Sequence, residues 1–477
     1  MPLGGESIME ETKVYKTPSL AYSVFVLLCL ASSTFIGMKV FGASLNVIMF
    51  LNWLLMTALA VPLGFSYQDL EKKAAQNVSN VMTTLFIIYA IGSLAGTWMV
   101  SGTVPAIIYY GMDIMSAKFF LPAALLLCSI VSIATGTSWG TLGTMGVALL
   151  GIGSGLGIPA GMTAGAAICG SWFGDKTSPL SDTTNFTSSL VGVNLFRHIR
   201  HTMYTNAPAY VITLIAFTFL GLHVSESTVL DKTLIEATQT GISNYFHLGF
   251  PVAIPALVVL ILLLMRKNAT MSLLCGALAG IIVAIVYQGQ DPSAAFNSLY
   301  NGFKGTFDDP FLTTLLNRGG ITSMLGTSMT MIFCVGIGGM MKEMGVIHVV
   351  VGKLSQLIRS TFSLIFISEI IAYVAQMLSG SHYFSDVMLQ STMLEVYRKK
   401  GLRPENLSRV MEDCNTIGGT LIPWSSTGLY ITATLGIAFT EYLPFAFLCF
   451  LTPLMEIFCA VTGWGITKYK EGENVEA

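Results

Sequence analysis

Asp175, Lys176 and Asp182 fall close together in the stretch FGDKTSPLSDTTNF (173–186), interleaved with Thr177, Ser178, Ser181, Thr183 and Asn185. Carboxylates set among hydroxyls and an amide offer hard oxygen ligands, the kind that small hard cations such as sodium prefer. Burial disfavours the ionised form of a carboxylate. One such group can therefore hold either a proton or a sodium ion, and that competition, combined with alternating access, suffices for exchange of the two. Asp175, Asp182, Thr183 and Asn185 are the candidate sodium ligands, and Lys176 can neutralise an aspartate when the ion is absent. The plainer alternative is that both acids pair with Lys176 and cap half-helices.

The rest of the chain explains why so polar a stretch matters. Of 477 residues, 53% are hydrophobic and only 10% charged, against about a quarter charged in ordinary soluble domains. Apolar runs of roughly 17–25 residues, enough to cross a bilayer, recur at Ser19–Phe35, Leu45–Leu63, Val81–Val100, Ala207–Leu222, Val252–Met265, Ser272–Tyr287 and Tyr442–Val461. The composition implies an all-α polytopic membrane protein. A net charge of −2 with no basic stripe excludes nucleic acid as a partner. The eight cysteines stand singly in apolar runs and read as buried hydrophobes. No nucleophile constellation, metal-ligand spacing or cofactor motif suggests an enzyme, and GIGSGLG (151–157) lacks the strand and spacing of a dinucleotide fingerprint. It reads instead as a flexible turn.

Basic clusters belong in cytoplasmic loops. Putting Lys13 and Lys16, Lys72 and Lys73, Arg197 and Arg200, Arg266 and Lys267, and the basic residues of YRKKGLR inside gives one consistent threading, with both termini cytoplasmic. Its two halves run oppositely. Gly92 and Gly336, Gly136 and Gly380, and Pro179 and Pro423 share an offset of 244. The expected organisation is a cytoplasmic tail (1–17), a first transmembrane repeat (18–222), an extracellular linker (223–245), a second repeat (246–465) and a cytoplasmic tail (466–477). Inverted-topology repeats mark secondary transporters, here with about five spans per repeat.

Each repeat is expected to hold a re-entrant hairpin and a broken helix. LPAALLLCSIVSIA enters, TGTSWGT turns and LGTMGVALLG leaves, although two crossing helices would satisfy the same loop parity. The arms are expected to be short. Pro179 removes a backbone donor and ends the helix arriving through MTAGAAICG. Interrupted backbone at membrane depth is tolerated where it lines a cavity or is buried in protein. Thr137 and Ser138 at the first tip, and Ser381, His382 and Asp386 at the second, join the candidate site. So do Asp413 and Asn415 before the second break, and Ser425, Ser426 and Thr427 after it. Glu369, alone in its span, is a candidate proton relay, whereas Glu412 is expected in solvent near the basic loop and Glu343, beside Lys342, in a loop or a local ion pair.

GDKTSPLSDTTN (174–185), SGSHYFSDVMLQSTMLE (379–395) and CNTIGGTLIPWSSTGLY (414–430) resemble the signatures of the NhaC-type sodium/proton antiporters, in the ion transporter superfamily. The resemblance implies paired inverted repeats, an elevator-like transport domain and a homodimer in the cytoplasmic membrane. It leaves the substrate open: Na+ exchanged for H+, or a Na+/H+-coupled carrier of a small organic anion of the malate/lactate type or of an amino acid. No cofactor is implied beyond the coupling ions. IPWSSTG (422–428) has no acid of its own, which suits a carboxylate-bearing solute better than a bare cation.

Overall fold

A computed structural model describes residues 15–79, 82–114, 116–227, 232–265, 267–307, 312, 313, 316, 317 and 319–469. Lys13, Arg266, most of the N-terminal tail, the end of the C-terminal tail and residues 228–231 of the linker lie outside that set. The described chain is helical. Its first half comprises α1 Leu20–Lys39, α2 Leu45–Ala60, α3 Tyr67–Ser79, α4 Met82–Val100, α5 Thr103–Ile114, α6 Ala117–Thr135, α7 Ser138–Thr141, α8 Val147–Gly155, α9 Ala160–Thr177, α10 Asp182–Leu190 and α11 Leu195–Ser227. Its second comprises α12 Lys232–Tyr245, α13 Ile254–Leu264, α14 Ala269–Val286, α15 Pro292–Asn301, α16 Leu325–Glu343, α17 Val346–Ser355, α18 Thr361–Ser379, α19 His382–Lys399, α20 Pro404–Met411, α21 Ser426–Leu435, α22 Phe439–Tyr442 and α23 Phe447–Thr462.

Among the described residues six helices are long and apolar enough to cross a membrane, and up to nine if each of three bent pairs is one span. The bends set α5 at 70° to α4 and α13 at 101° to the end of α12. The run Tyr442–Val461 is likewise bent by 52°. The run Val252–Met265 falls on the Phe250–Leu264 arm of its bent pair, so the bend precedes it, with Pro251 and Pro255 at the start of that arm.

The hairpin arms are longer than expected. α6 has 19 residues, and the return from Ser138 runs through α7, a π turn (Leu142–Gly146) and α8 to Gly155. Most of GIGSGLG is therefore helical rather than a flexible turn, and its small residues let Ile108 lie against Gly151.

α6 packs along α9 because α9 is rich in small residues: a Cβ on Gly174 would sit 2.5 Å from the Ser129 carbonyl. Ser132 Oγ ties the pair by donating to the Ser171 carbonyl at 2.6 Å. α6 ends at Gly136, whose φ of +69° lies in the left-handed region that glycine enters without strain. A Cβ there would meet the Leu180 backbone at 2.6 Å, so the hairpin tip sits directly on the helix interruption. The second half repeats the arrangement: α18 ends at Gly380 (φ +68°), and the Ser426 amide donates to the Gly380 carbonyl at 2.8 Å.

Gly136→Ala is expected to lower stability by at least about 1–2 kcal/mol from backbone strain, with a further loss from the Leu180 clash. Gly192 has φ +73° and nothing within 4 Å, so Gly192→Ala isolates the strain. Thermal unfolding of both variants in detergent should show Gly136→Ala as the worse; equal losses would remove the tip contact from the account.

Candidate functional site

α9 runs to Thr177, the chain leaves helical geometry through Ser178–Ser181, and α10 restarts at Asp182. Pro179 sits inside the gap. Side chains close the exposed backbone. Ser178 Oγ donates to the Ile133 carbonyl at 2.7 Å, Asn185 Nδ2 to the carbonyls of Pro179 (3.0 Å) and Ser181 (2.6 Å), and Ser181 Oγ accepts the Thr184 amide at 3.2 Å. Thr177 Oγ1 donates to the Phe173 carbonyl within its own helix.

Asp175, in the last turn of α9, is 2% exposed. Its Oδ2 accepts the Ser138 hydroxyl at 2.7 Å, while Oδ1 has no hydrogen-bond partner among the described residues. Asp182 begins α10 and is exposed; its Oδ2 accepts from Tyr383 Oη at 3.1 Å. Both acids line a cavity of about 670 Å³. Thr183 and Asn185 line it too, so the four expected sodium ligands share one space, together with Thr137 and Ser138 from the first tip, His382 from the second and Thr427 from α21. The N-termini of α7 and α19 bring their positive dipole ends to the same space. Neither ring nitrogen of His382 has a partner among the described residues.

Several expected site residues are elsewhere. Lys176 does not neutralise Asp175 or Asp182: it forms a hydrogen-bonded ion pair with Asp413, both side chains fully buried. That contact crosses from one half to the other. Asp386 Oδ1 accepts from Asn415 Nδ2 (2.7 Å), and Asn415 Oδ1 accepts from Ser385 Oγ (2.8 Å), in a buried chain off the cavity. Ser425 Oγ accepts the Gly428 amide at 2.9 Å and Ser381 Oγ the Phe384 amide at 3.5 Å, so both act as helix caps, and Ser426 is buried. Glu369 is 5% exposed with Oε1 unpartnered among the described residues.

Three expectations are corrected. Glu412 is not in solvent but fully buried, 3.8 Å from His198. Glu343 pairs with Lys73 at 3.4 Å rather than with Lys342, because the end of α16 meets α3. Trp424 does not face the polar cavity. Its Nε1 donates to the Met377 carbonyl at 2.8 Å, and its ring lines an apolar groove of about 590 Å³ beside Leu30 and Met341.

The cavity wall also contains residues the sequence reading did not single out: Tyr383, Lys267, Asn268, Thr270, Trp172 and Thr416. Tyr383 adjoins His382 in the sequence, and that adjacency was the signal available. Lys267 had been assigned wholly to a loop.

A family model described as the Na+/H+ antiporter family matches residues 170–464, which include both helix interruptions. The chain belongs to that family. It is 38% identical over 459 residues to the malate-2H+/Na+-lactate antiporter of Bacillus subtilis, covering 96% of each chain. To the Na+/H+ antiporter NhaC of Alkalihalophilus pseudofirmus it is 37% identical over 413 residues, covering 86% of this chain and 89% of that one. It is thus a membrane transporter of the antiporter class.

In this antiporter the Lys176–Asp413 pair is framework. Asp413→Asn alone should destabilise the fold by about 3–5 kcal/mol, the usual consequence of stranding a buried charge, whereas Lys176→Met with Asp413→Leu should recover most of it. Melting temperatures of the three proteins in detergent test this; an intact Asp413→Asn would show the pair to be dispensable.

Proposed function

We propose that this antiporter exchanges Na+ for H+ across the cell membrane by alternating access, with cation and proton competing for Asp175 and Asp182. The observation that carries the reading is Asp175 itself. Ser138 fixes one carboxylate oxygen from the hairpin tip and leaves the other buried without a hydrogen-bond partner among the described residues, in a side chain that lines the same cavity as Asp182, Thr183 and Asn185. A sodium ion entering there finds only hard donors and loses little on leaving water. A proton on Asp175 removes the charge that attracts the ion, which couples release of one to binding of the other.

We read the halves as inverted repeats. In support, α6 and α18, the starts of α9 and α20, and the starts of α10 and α21 all stand 244 residues apart. Trp172 Nε1 donates at 3.0 Å to the carbonyl of Thr416, its own counterpart at that offset, as a residue beside a two-fold axis would. Opposed halves of this kind support an elevator-like motion, with both termini cytoplasmic and the protein acting as a homodimer. Glu369 stays a proton-relay candidate on its buried, unpartnered oxygen.

A second reading, exchange coupled to a small organic carboxylate, is favoured by the cavity's size. A space of about 670 Å³ far exceeds one ion, and Lys267, His382 and two helix N-termini are available to a carboxylate. The similarity to a malate/lactate antiporter points the same way.

Proteoliposomes separate the two. Sodium added outside should collapse an acid-interior pH gradient with no organic solute present; a requirement for malate, lactate or an amino acid would replace the first reading with the second. Asp175→Asn and Asp182→Asn should each weaken sodium dependence about 10- to 100-fold, equivalent to the 1.5–3 kcal/mol of a bond to a charged group. Wild-type sodium affinity in both would move the site elsewhere.

A further inference from the structure

Behind the cavity wall four ionisable side chains meet, each with 0% exposure: Lys176 of α9, His198 of α11, and the adjacent Glu412 and Asp413 that follow α20. Lys176 and Asp413 are bonded to each other. Glu412 Oε1 stands 3.8 Å from His198 Nε2, and the other ring nitrogen, Nδ1, lies 2.8 Å from Ser408 Oγ. Glu412 sits on a π turn, Glu412–Ile417, a distortion that recurs at functional sites.

Charge balance decides what this cluster requires. With His198 neutral, one ammonium faces two carboxylates, and an uncompensated charge in a dry interior is costly. One added proton, on the imidazole or on Glu412, makes the four groups neutral together. The other charged groups packed around them do not supply that balance. Arg409 is occupied by Glu456 of α23 through two bonds of 2.9 and 2.7 Å. Asp175 on α9, Glu369 on α18 and Asp386 on α19 are further acids, so they increase the demand for a proton. His201 of α11 and His382 of α19 are the remaining imidazoles nearby.

Groups beside the cluster approach the surface on one side and the cavity on the other. Ser408 Oγ, beside His198, also donates to the Glu405 carbonyl at 3.1 Å, and the Glu405 carboxylate holds Arg197 at 3.2 Å, whose side chain is 60% exposed. At the other end Thr416, on the same π turn as Glu412, lines the cavity.

We propose that His198 and Glu412 together hold one transported proton, at a site separate from the carboxylates of the cavity. The proton enters on the imidazole from the Arg197 face. Its transfer breaks the Nε2–H bond, leaves the electron pair on the ring and forms an O–H bond on Glu412, so the cluster stays neutral throughout. The two residues share that one proton. Rested on the Na+/H+ exchange proposed above, this second proton raises the count per sodium above one, and the exchange then moves net charge.

The test uses full-length protein in proteoliposomes with equal sodium and pH on both sides and a potassium diffusion potential set by valinomycin. The wild type should move radioactive sodium in response to the potential, with the direction reversing when its sign is reversed. Glu412→Gln makes the cluster neutral without a proton. It should therefore fold, keep sodium flux driven by a pH gradient and lose the response to potential, which Glu412→Asp restores. Should Glu412→Gln not be recovered as monodisperse protein, His198→Gln is expected to show the same loss. A wild type that ignores the potential, or either variant responding as the wild type does, overturns the second proton site. Failure of the wild type to exchange sodium for protons under a pH gradient instead overturns the reading on which it rests.

Discussion

A helix interrupted inside an apolar protein exposes amides and carbonyls that have no water to turn to, and each left unpaired costs of the order of 1–3 kcal/mol. This chain meets that constraint by setting one interruption against another. The tip at Gly136 lies on the gap at Leu180, Ser178 bonds back to Ile133, and Asn185 ties down two carbonyls of the gap itself. The hydroxyl and amide residues of 177–185 are thus first a solution to backbone accounting. The backbone leaves the side chains of Asp175 and Asp182 unused, and both line the cavity. Repair of the interrupted backbone is thus one reason why so many polar side chains are packed into so short a segment.

Features governed by local backbone chemistry were legible in the sequence. Pro179 marked the gap because a missing donor acts wherever the residue stands, and Gly136 with Gly380 marked both tips because a left-handed turn excludes most other residues. The directions of side chains were not legible. Lys176 and Asp175 are neighbours in sequence, yet successive residues on a helix point about 100° apart. One therefore reaches the cavity and the other reaches Asp413, a residue 237 positions away. Basic residues precede Glu412 and suggest solvent, but the segment from Pro404 packs against α11, where His198 meets its Ser408 and Glu412. The arms of the hairpin were judged short because the π turn at 142–146 hides the continuity of the return helix.

One buried ion pair ties the two halves together and another braces the second half. Lys176 with Asp413 joins α9 to the segment after α20, and Arg409, also bonded to the Gly465 carbonyl at 2.8 Å, joins α20 to the chain end through Glu456. Such pairs contribute little net stability compared with apolar packing, but a misplaced partner is heavily penalised. They therefore select one arrangement of α9, α20 and α23 over its neighbours, in a protein whose helices otherwise present much the same apolar surface to one another.

The two halves share a backbone and differ in chemistry. Ser181 and Ser425 cap the restarted helices alike, yet the first restart carries Asp182 into a polar cavity, whereas the segment before the second turns Trp424 toward an apolar groove. The second half nevertheless supplies part of the wall of that cavity: Tyr383 reaches Asp182 and Thr416 meets Trp172. Equivalent helix ends in the two halves therefore meet different surroundings, a polar cavity at the first interruption and an apolar groove beside the second.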